Sequence, residues 1–211
     1  MLARIHGHVC GDGYVSITNW KRSRADILRY NRKNKRETFH LVIYSNTEQV
    51  LLNEFKNAVR EVFNASAFNN WRKNEVRVRN KCVYNEIVSL GKTGTYKWTV
   101  PRAISANPCL FFEWLSAFID DEGYIEDRID TDKQGRKHRR KRINIKSASR
   151  NGLFSIMRAL LLYGIKSRID RAGEFQVLRI EGLENLKQLI PRLNLYHPRK
   201  LLCLKNMITN S

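Results

Sequence analysis

The sequence has few acidic residues and no long apolar segment, and both shortages narrow the class of protein. Its 211 residues include 20 aspartates and glutamates against 39 lysines and arginines, which gives a formal net charge of +19. A chain this basic usually binds a polyanion, and nucleic acid is the first candidate. No apolar stretch could span a bilayer, and the N-terminus does not follow the pattern of a secretory signal. We therefore expect an intracellular protein, cytoplasmic in a prokaryote or organellar, without a membrane partner.

Cysteine is also scarce, and its spacing argues against a zinc site. The four cysteines are widely separated and form no C-x-x-C pair. Cys10 and Cys203 have apolar neighbours, which is typical of reduced core residues in an intracellular protein. The apolar fraction of 42% and the chain length are sufficient for one large globular domain or two small ones.

The order of predicted elements occurs twice along the chain. Each half reads as an apolar helix, an alternating strand, a basic loop, a second strand, a helix, a further strand and a further helix. The segment GKTGTYKWTVPRAISANP, with its glycines and prolines, separates the halves. We predict a first repeat at 1–92, a linker at 93–108 and a second repeat at 109–211 with an additional C-terminal helix. Two matching units in tandem indicate a monomer with internal pseudo-twofold symmetry.

Each half places an acidic residue directly before a glycine, between the apolar helix and the first strand. These residues are Asp12 and Glu122. One such pair usually marks a turn, but its duplication at corresponding places favours a function. If the twofold axis runs between the two helices, the carboxylates meet at adjacent helix ends and repel each other. A divalent cation would relieve that repulsion, and Gly7 and Ala117, each five residues earlier, would permit close packing of the helices.

The two motifs, IHGHVCGDG at 5–13 and LSAFIDDEG at 115–123, resemble the signature of the LAGLIDADG homing endonuclease family. The second copy matches better, because Cys10 replaces an acidic residue of the signature and His6 and His8 occupy positions that are usually apolar. The resemblance covers nearly the whole chain. It implies an α+β fold of two pseudosymmetric αββαββα repeats, whose saddle-shaped antiparallel sheets pack through the motif helices. The ends of the chain differ from those of an intein, so we expect a free-standing, intron-encoded protein.

The resemblance also implies an activity and a set of site residues. The activity is site-specific DNA cleavage with Mg²⁺ or Mn²⁺, as a staggered double-strand break in a long recognition site. Asp12 and Glu122 match the catalytic metal-binding positions, and their neighbours Gly11 and Asp121 are further candidate ligands. Asp120 matches a structural position near the helix interface. Two lysines complete the predicted catalytic set, Lys81 by its resemblance to the active-site lysine and Lys146 on a polar strand face. Either lysine could instead be an ordinary phosphate contact.

The polar faces of the predicted strands would read DNA in the major groove. Two-stranded ribbons fit this groove, where arginine suits guanine and asparagine suits adenine, while basic loops mainly contact phosphates. The predicted DNA-binding residues on strands are Ser16, Thr18, Arg77, Arg79, Arg142, Asn144 and Lys146. Those in the basic loops are Arg32, Lys33, Lys35, Arg36, Arg136, Lys137, Arg139 and Arg140.

The sequence leaves other functions open. Some relatives of this family act as RNA maturases that assist intron splicing, and others bind DNA without cutting it. The two retained carboxylates favour a nuclease, although some maturases also keep them. A basic RNA-binding protein of ribosomal type would need neither paired carboxylates nor a metal.

Overall fold

A computed structural model describes residues 1–21 and 36–209, which form two similar series of elements. The first series consists of α1 (Leu2–Cys10), β1 (Gly13–Lys21), β2 (Arg36–Ser45), α2 (Gln49–Phe63), β3 (Ala67–Asn70), β4 (Glu75–Arg79) and α3 (Lys81–Leu90). After a short helix, α4 (Arg102–Ser105), the second consists of α5 (Pro108–Glu122), β5 (Gly123–Thr131), β6 (Lys137–Ser147), α6 (Arg150–Leu162), β7 (Arg168–Ala172), β8 (Phe175–Glu181), α7 (Leu183–Leu189) and α8 (Pro198–Thr209).

Each series forms one four-stranded antiparallel sheet, and the two strand orders correspond. They are β1-β2-β4-β3 in sheet 1 and β5-β6-β8-β7 in sheet 2. The predicted α+β class with two αββαββα repeats is confirmed. The sequence pattern alone did not reveal β3 and β7, because these edge strands are short and their mixed polar sequences, AFNN and RIDRA, lack a clear apolar alternation. No helix within the described ranges is long and apolar enough to cross a membrane.

Helices cover one face of each sheet and bury an apolar core there. In the first repeat, Val42, Val76 and Val78 from the strands pack with Leu51 and Phe55 of α2. The second core is built in the same way from the alternating residues of β6 and β8 and the apolar stripe of α6. Burial of these side chains supplies the main driving force for folding each unit. The opposite face of each sheet remains available for a partner.

The predicted linker at 93–108 packs against the second repeat. Trp98, Val100 and Ile104 are buried in the second core. The Val100 N–H donates a hydrogen bond of 2.8 Å to the Ser155 hydroxyl on α6. The last residue of this segment, Pro108, is already the first residue of α5, where proline is well tolerated. The division at 92 and 108 stays a prediction, but the segment itself belongs structurally to the second unit.

The motif helices α1 and α5 are in direct contact, as the small residues suggested. A Cβ atom at Gly7 would lie only 2.6 Å from the carbonyl oxygen of Trp114 and 3.0 Å from the Cβ of Ala117. The Trp114 indole N–H donates a 3.0 Å hydrogen bond to Nδ1 of His6 across the same interface. Burial lowers the pKa of His6 to about 4, so this imidazole is neutral and can accept the bond. A histidine at a usually apolar position thus joins the two helices.

We predict that Gly7→Ala destabilises the protein by about 1–3 kcal/mol, because the added methyl group collides with the backbone of α5. Alanine is the better helix former by about 1 kcal/mol, so a loss of stability can be attributed to the helix contact. The measurement is the free energy of unfolding from chemical denaturation. Gly91→Ala is the control, because a Cβ there meets only ordinary contacts at 3.6 Å or more. Equal stability of Gly7→Ala and the wild type would contradict this account of the interface.

Candidate active site

Asp12 and Glu122 line one cavity between the two repeats. Asp12 directly follows α1 and Glu122 is the last residue of α5, so packing of the helices brings their ends together. The cavity has a volume of about 470 Å³, and Gly11 and Lys146 also line it. The negative charge of Asp12 contributes to a raised pKa of Glu122, as expected for neighbouring carboxylates. The sequence predicted this convergence from the duplicated motif.

Both carboxylates retain protons more readily than usual. Burial, together with the charge of Asp121, raises the pKa of Asp12 to about 6. Burial and the charges of Asp12 and Asp121 raise the pKa of Glu122 to about 7. Lys200 acts in the opposite direction on both groups but does not offset the rise. The negative ends of two helix dipoles meet at the same place, so the cavity presents an acidic site, only partly compensated by the lysines, to a cation.

Asp121 faces the protein interior, where it already accepts hydrogen bonds. Its Oδ1 accepts bonds from the Tyr44 hydroxyl at 2.6 Å and from the side-chain amide of Asn46 at 3.3 Å. Its Oδ2 lies 3.0 Å from Nδ1 of His8. The Asn46 amide also donates a 3.0 Å bond to Asp12. These contacts give Asp121 a positioning role beside Asp12, and they leave its oxygens poorly placed for a metal ion.

A chain of buried charges holds α1 to α2 and α5. Arg4 of α1 pairs with Glu54 of α2 at 2.6 Å and with Asp120 of α5 at 2.9 Å. His8 lies between Glu54 and Asp121, at 2.8 and 3.0 Å. Burial lowers the pKa of His8, but the two carboxylates raise it more, to about 9, so both ring nitrogens donate at neutral pH. Each buried charge is paired, which avoids the large cost of burying an isolated ion.

Asp120 has the structural role that the motif position implies. Its carboxylate accepts hydrogen bonds from the backbone N–H groups of Tyr196 and His197, in addition to the bond from Arg4. The carboxylate thereby fixes the chain segment that enters α8.

Lys200 is a site residue that the sequence did not identify. Its ammonium group donates hydrogen bonds to the carbonyl oxygens of Ile119, Asp120 and Asp121, at 2.9, 2.6 and 3.1 Å. It thus neutralises the C-terminal end of α5 beside Glu122. Burial lowers its pKa. The only sequence signal was a terminal helix that starts at a proline, and nothing local indicates where that helix docks.

The structure places one predicted catalytic lysine in the cavity and the other far from it. Lys146 lines the cavity with Glu122, and its ammonium group lies 4.2 Å from the ring centroid of Phe175. β4 starts beside Ser45, next to Asp12, and runs away from it. Lys81 follows the far end of β4. The length of the strand separates it from the end beside Asp12 by roughly 15 Å, so it does not reach the carboxylates.

Lys73 lies at the end of β4 that adjoins Asp12. It precedes β4 and lines a second cavity with Asp12, Asn46 and Lys200. Lys81, predicted from the family resemblance, follows the other end of the same strand.

The donor set fits a magnesium-like ion better than a self-contained metal centre. Within residues 1–21 and 36–209, no group of three or more His, Cys, Asp or Glu side chains is arranged to hold a metal. Asp12 and Glu122 are hard oxygen donors in one cavity. Mg²⁺ commonly takes one or two carboxylates and completes its shell with phosphate oxygens and water. The site therefore suits an ion that is shared with a phosphate-containing substrate.

The predicted base-reading residues lie on the sheet faces opposite the helices. Ser16, Thr18, Arg77 and Arg79 line one groove of about 580 Å³ on sheet 1. On sheet 2, the alternation of β6 places Arg142, Asn144 and Lys146 on the corresponding face, since Ile143 and Ile145 enter the core. The structure thus brings together both predicted sets.

The second basic loop is mostly strand. Residues 137–147 form β6, so Lys137, Arg139 and Arg140 belong to a hairpin whose turn contains Arg136. Cross-strand ion pairs explain why such a charged sequence is extended, because Arg139 pairs with Asp127 at 2.6 Å and Arg140 with Asp130 at 3.0 Å. By alternation, Lys137 and Arg139 lie on the face opposite to Arg142. Of the first loop, Arg32, Lys33 and Lys35 lie outside the described residues, and Arg36 is the first residue of β2.

Comparisons with known proteins identify the fold. No protein-family model and no curated protein matches the chain. Among solved structures, a mesophilic variant of the homing endonuclease I-DmoI is 16% identical, with a TM-score of 0.61 over 95% of each chain. The LAGLIDADG homing endonuclease I-LtrWI, bound to target DNA, is 11% identical, with a TM-score of 0.62 over 98% of this chain and 89% of that one. The meganuclease I-SmaMI, also bound to DNA, is 8% identical, with a TM-score of 0.57 over 91% and 81%. The chain has the fold of the single-chain, two-domain LAGLIDADG homing endonucleases.

Proposed function

We propose that the chain is a site-specific DNA endonuclease that makes a metal-dependent, staggered double-strand break in a long recognition site. The convergence of Asp12 and Glu122, one from each repeat, in a single cavity carries this proposal. One sheet on each side of the cavity presents basic residues on the face away from its helices. A monomer with two such halves can contact both strands of a duplex.

The metal proposal rests on the two carboxylates. Asp12 and Glu122 would hold Mg²⁺ or Mn²⁺, and the Gly11 backbone lies in the same cavity. A structurally similar protein, I-DmoI, has been described in complex with DNA and Mn. When bound, such an ion activates water and stabilises charge on the phosphate and the leaving oxygen. Lys146 lies where it can contact a scissile phosphate, while Lys200 and His8 hold positive charge behind the carboxylates.

Splicing assistance and non-catalytic DNA binding are the alternatives. Both would use the basic sheet faces, but neither requires two carboxylates with raised pKa values in one cavity. Incubation with Mg²⁺ and a plasmid library that contains the target distinguishes an endonuclease from both alternatives, because only an endonuclease produces linear DNA. An intracellular location is part of this proposal, and it agrees with four cysteines that are all free.

Asp12→Asn and Glu122→Gln are each expected to abolish cleavage while DNA affinity stays close to that of the wild type. Each change removes a negative metal ligand and keeps the size of the side chain. The measurements are cleavage of target DNA with Mg²⁺ and binding of the same DNA with Ca²⁺. Glu184→Gln is the control, because this exposed carboxylate on α7 pairs with Lys187 at 3.4 Å and lies outside the cavity. Normal double-strand cleavage by either of the two site variants would refute the metal assignment.

Lys200→Met should lower the free energy of unfolding by about 1–3 kcal/mol, since three carbonyl groups at the end of α5 lose their donor. The loss of a positive charge beside the acidic pair also strengthens the binding of Mg²⁺ to the folded state. Tighter binding to the folded state gives a larger stabilisation by the ion. We therefore expect a larger rise of Tm with Mg²⁺ in the variant than in the wild type. Lys187→Met on the surface of α7 should change neither quantity. An unchanged Tm in Lys200→Met would contradict the role given to this lysine.

DNA affinity should fall steeply with salt, because each neutralised phosphate contributes about 0.9 to the log–log slope. Arg140→Ala in the β5–β6 hairpin, which alternation places on the same face as Arg142, is expected to reduce the magnitude of that slope by about one unit, with little change in sequence preference. The slope is measured from Kd values over a salt series. Lys187→Ala serves again as the control. A shallow wild-type slope would argue against an interface made largely with phosphates.

A further inference from the structure

The two DNA-facing surfaces differ in chemistry, although the sheets have the same topology. Sheet 1 presents an apolar and aromatic groove, and sheet 2 presents a network of arginines and carboxylates. The difference concerns which features of a base each sheet can recognise, and it is independent of the cleavage site. The groove on sheet 1 is lined by Tyr14, Ser16, Thr18, Trp20, Phe39, Leu41, Ile43, Arg77 and Arg79.

Strand register makes the apolar part of sheet 1 continuous. Tyr14 lies opposite Ile43, Ser16 opposite Leu41, and Thr18 opposite Phe39. Such directly opposed side chains are near neighbours on one face. Leu41 and Phe39 are partly exposed, and Tyr14 is 44% exposed, so these side chains form an accessible surface. A soluble protein rarely leaves an apolar patch of this kind uncovered unless it contacts a partner.

The partner of this groove is duplex DNA. Arg77 and Arg79 border the groove, and the chain carries a net charge of +19. The groove begins close to the acidic cavity, because Tyr14 is the second residue of β1 and Asp12 directly precedes that strand. A ligand that places its phosphates at the cavity therefore lies across the groove. An apolar protein partner would not explain the bordering arginines.

Sheet 2 differs at most of the corresponding strand positions: its exposed Tyr124 matches Tyr14, but Arg142 and Arg140 stand where sheet 1 has Leu41 and Phe39. Glu126 is buried on this face. Its carboxylate pairs with Arg142 and, at 2.7 Å, with Arg128. Arg179 pairs with Asp170 at 2.9 Å. The arginines of this face are held in place by these ion pairs, and arginine side chains suit hydrogen bonding to base edges.

Thymine is the base that suits the apolar groove. Its C5-methyl group is the apolar feature that an unmodified base pair displays in the major groove, whereas guanine, adenine and cytosine display donors and acceptors. We infer that sheet 1 recognises its half-site largely through thymine methyl groups, whereas sheet 2 recognises its half-site through arginine and asparagine hydrogen bonds. The inference rests on the proposed function as a sequence-specific DNA-binding enzyme.

The experiment is a binding selection with the full chain and a randomised duplex library in Ca²⁺. It is repeated with Leu41→Gln on sheet 1 and with the matched variant Val177→Gln on the corresponding face of sheet 2. The half-site whose preferred sequence changes in Leu41→Gln is the one that sheet 1 contacts. Thymines of each half-site are then replaced by deoxyuridine, which removes only the methyl group.

We expect the sheet 1 half-site to be enriched in thymine and to lose affinity by about fourfold for each contacted methyl group removed. Deoxyuridine in the other half-site should change Kd less than twofold, and Leu41→Gln should bind thymine and deoxyuridine sites equally. A defined target that tolerates deoxyuridine equally in both halves would overturn the inference and leave the proposed function intact. Failure to enrich any sequence would refute the proposed function and, with it, this inference.

Discussion

The close approach of α1 and α5 is the constraint on which the rest of the molecule depends. Gly7 permits an approach that a larger residue would block, because the carbonyl of Trp114 occupies the place of its missing side chain. The approach carries a cost, since it brings two helix C-termini and two carboxylates, Asp12 and Glu122, into one cavity. Each helix leads directly into the first strand of its sheet. One contact therefore fixes both the acidic site and the sheets beside it.

Buried cations compensate most of the acidic charge that this contact concentrates. Arg4 and His8 satisfy Glu54, Asp120 and Asp121 behind the site, and Lys200 covers the end of α5. Asp12 and Glu122 remain the acids with raised pKa values that face the cavity. The charges in the interior are thus nearly compensated, whereas the charges of the two carboxylates in the cavity are compensated only in part. This division separates the groups that build the site from those proposed to bind the metal.

Residues with a local pattern were predictable from the sequence, and those that depend on distant contacts were not. The duplicated motif gave Asp12 and Glu122, and strand alternation gave Lys146 and the faces of both sheets. Lys200 escaped notice because its partners lie about 80 residues earlier in the chain. Lys81 was predicted from its resemblance to the family's active-site lysine, and the sequence alone does not show which end of β4 lies beside Asp12. The charged hairpin was read as a loop because its ion pairs are invisible without the register.

The His6–Trp114 hydrogen bond makes the two motif helices unlike partners. An indole donor on one helix meets an imidazole acceptor on the other, and the glycine of α1 meets a backbone carbonyl of α5. Two copies of either helix could not reproduce these contacts, since each contact joins a residue of α1 to a different residue of α5. The two halves of a duplicated gene would at first be interchangeable. Once such an unlike pair had formed, both halves would have to remain in a single polypeptide. Each sheet would then be free to diverge from the other, as the groove of sheet 1 and the arginine pairs of sheet 2 illustrate.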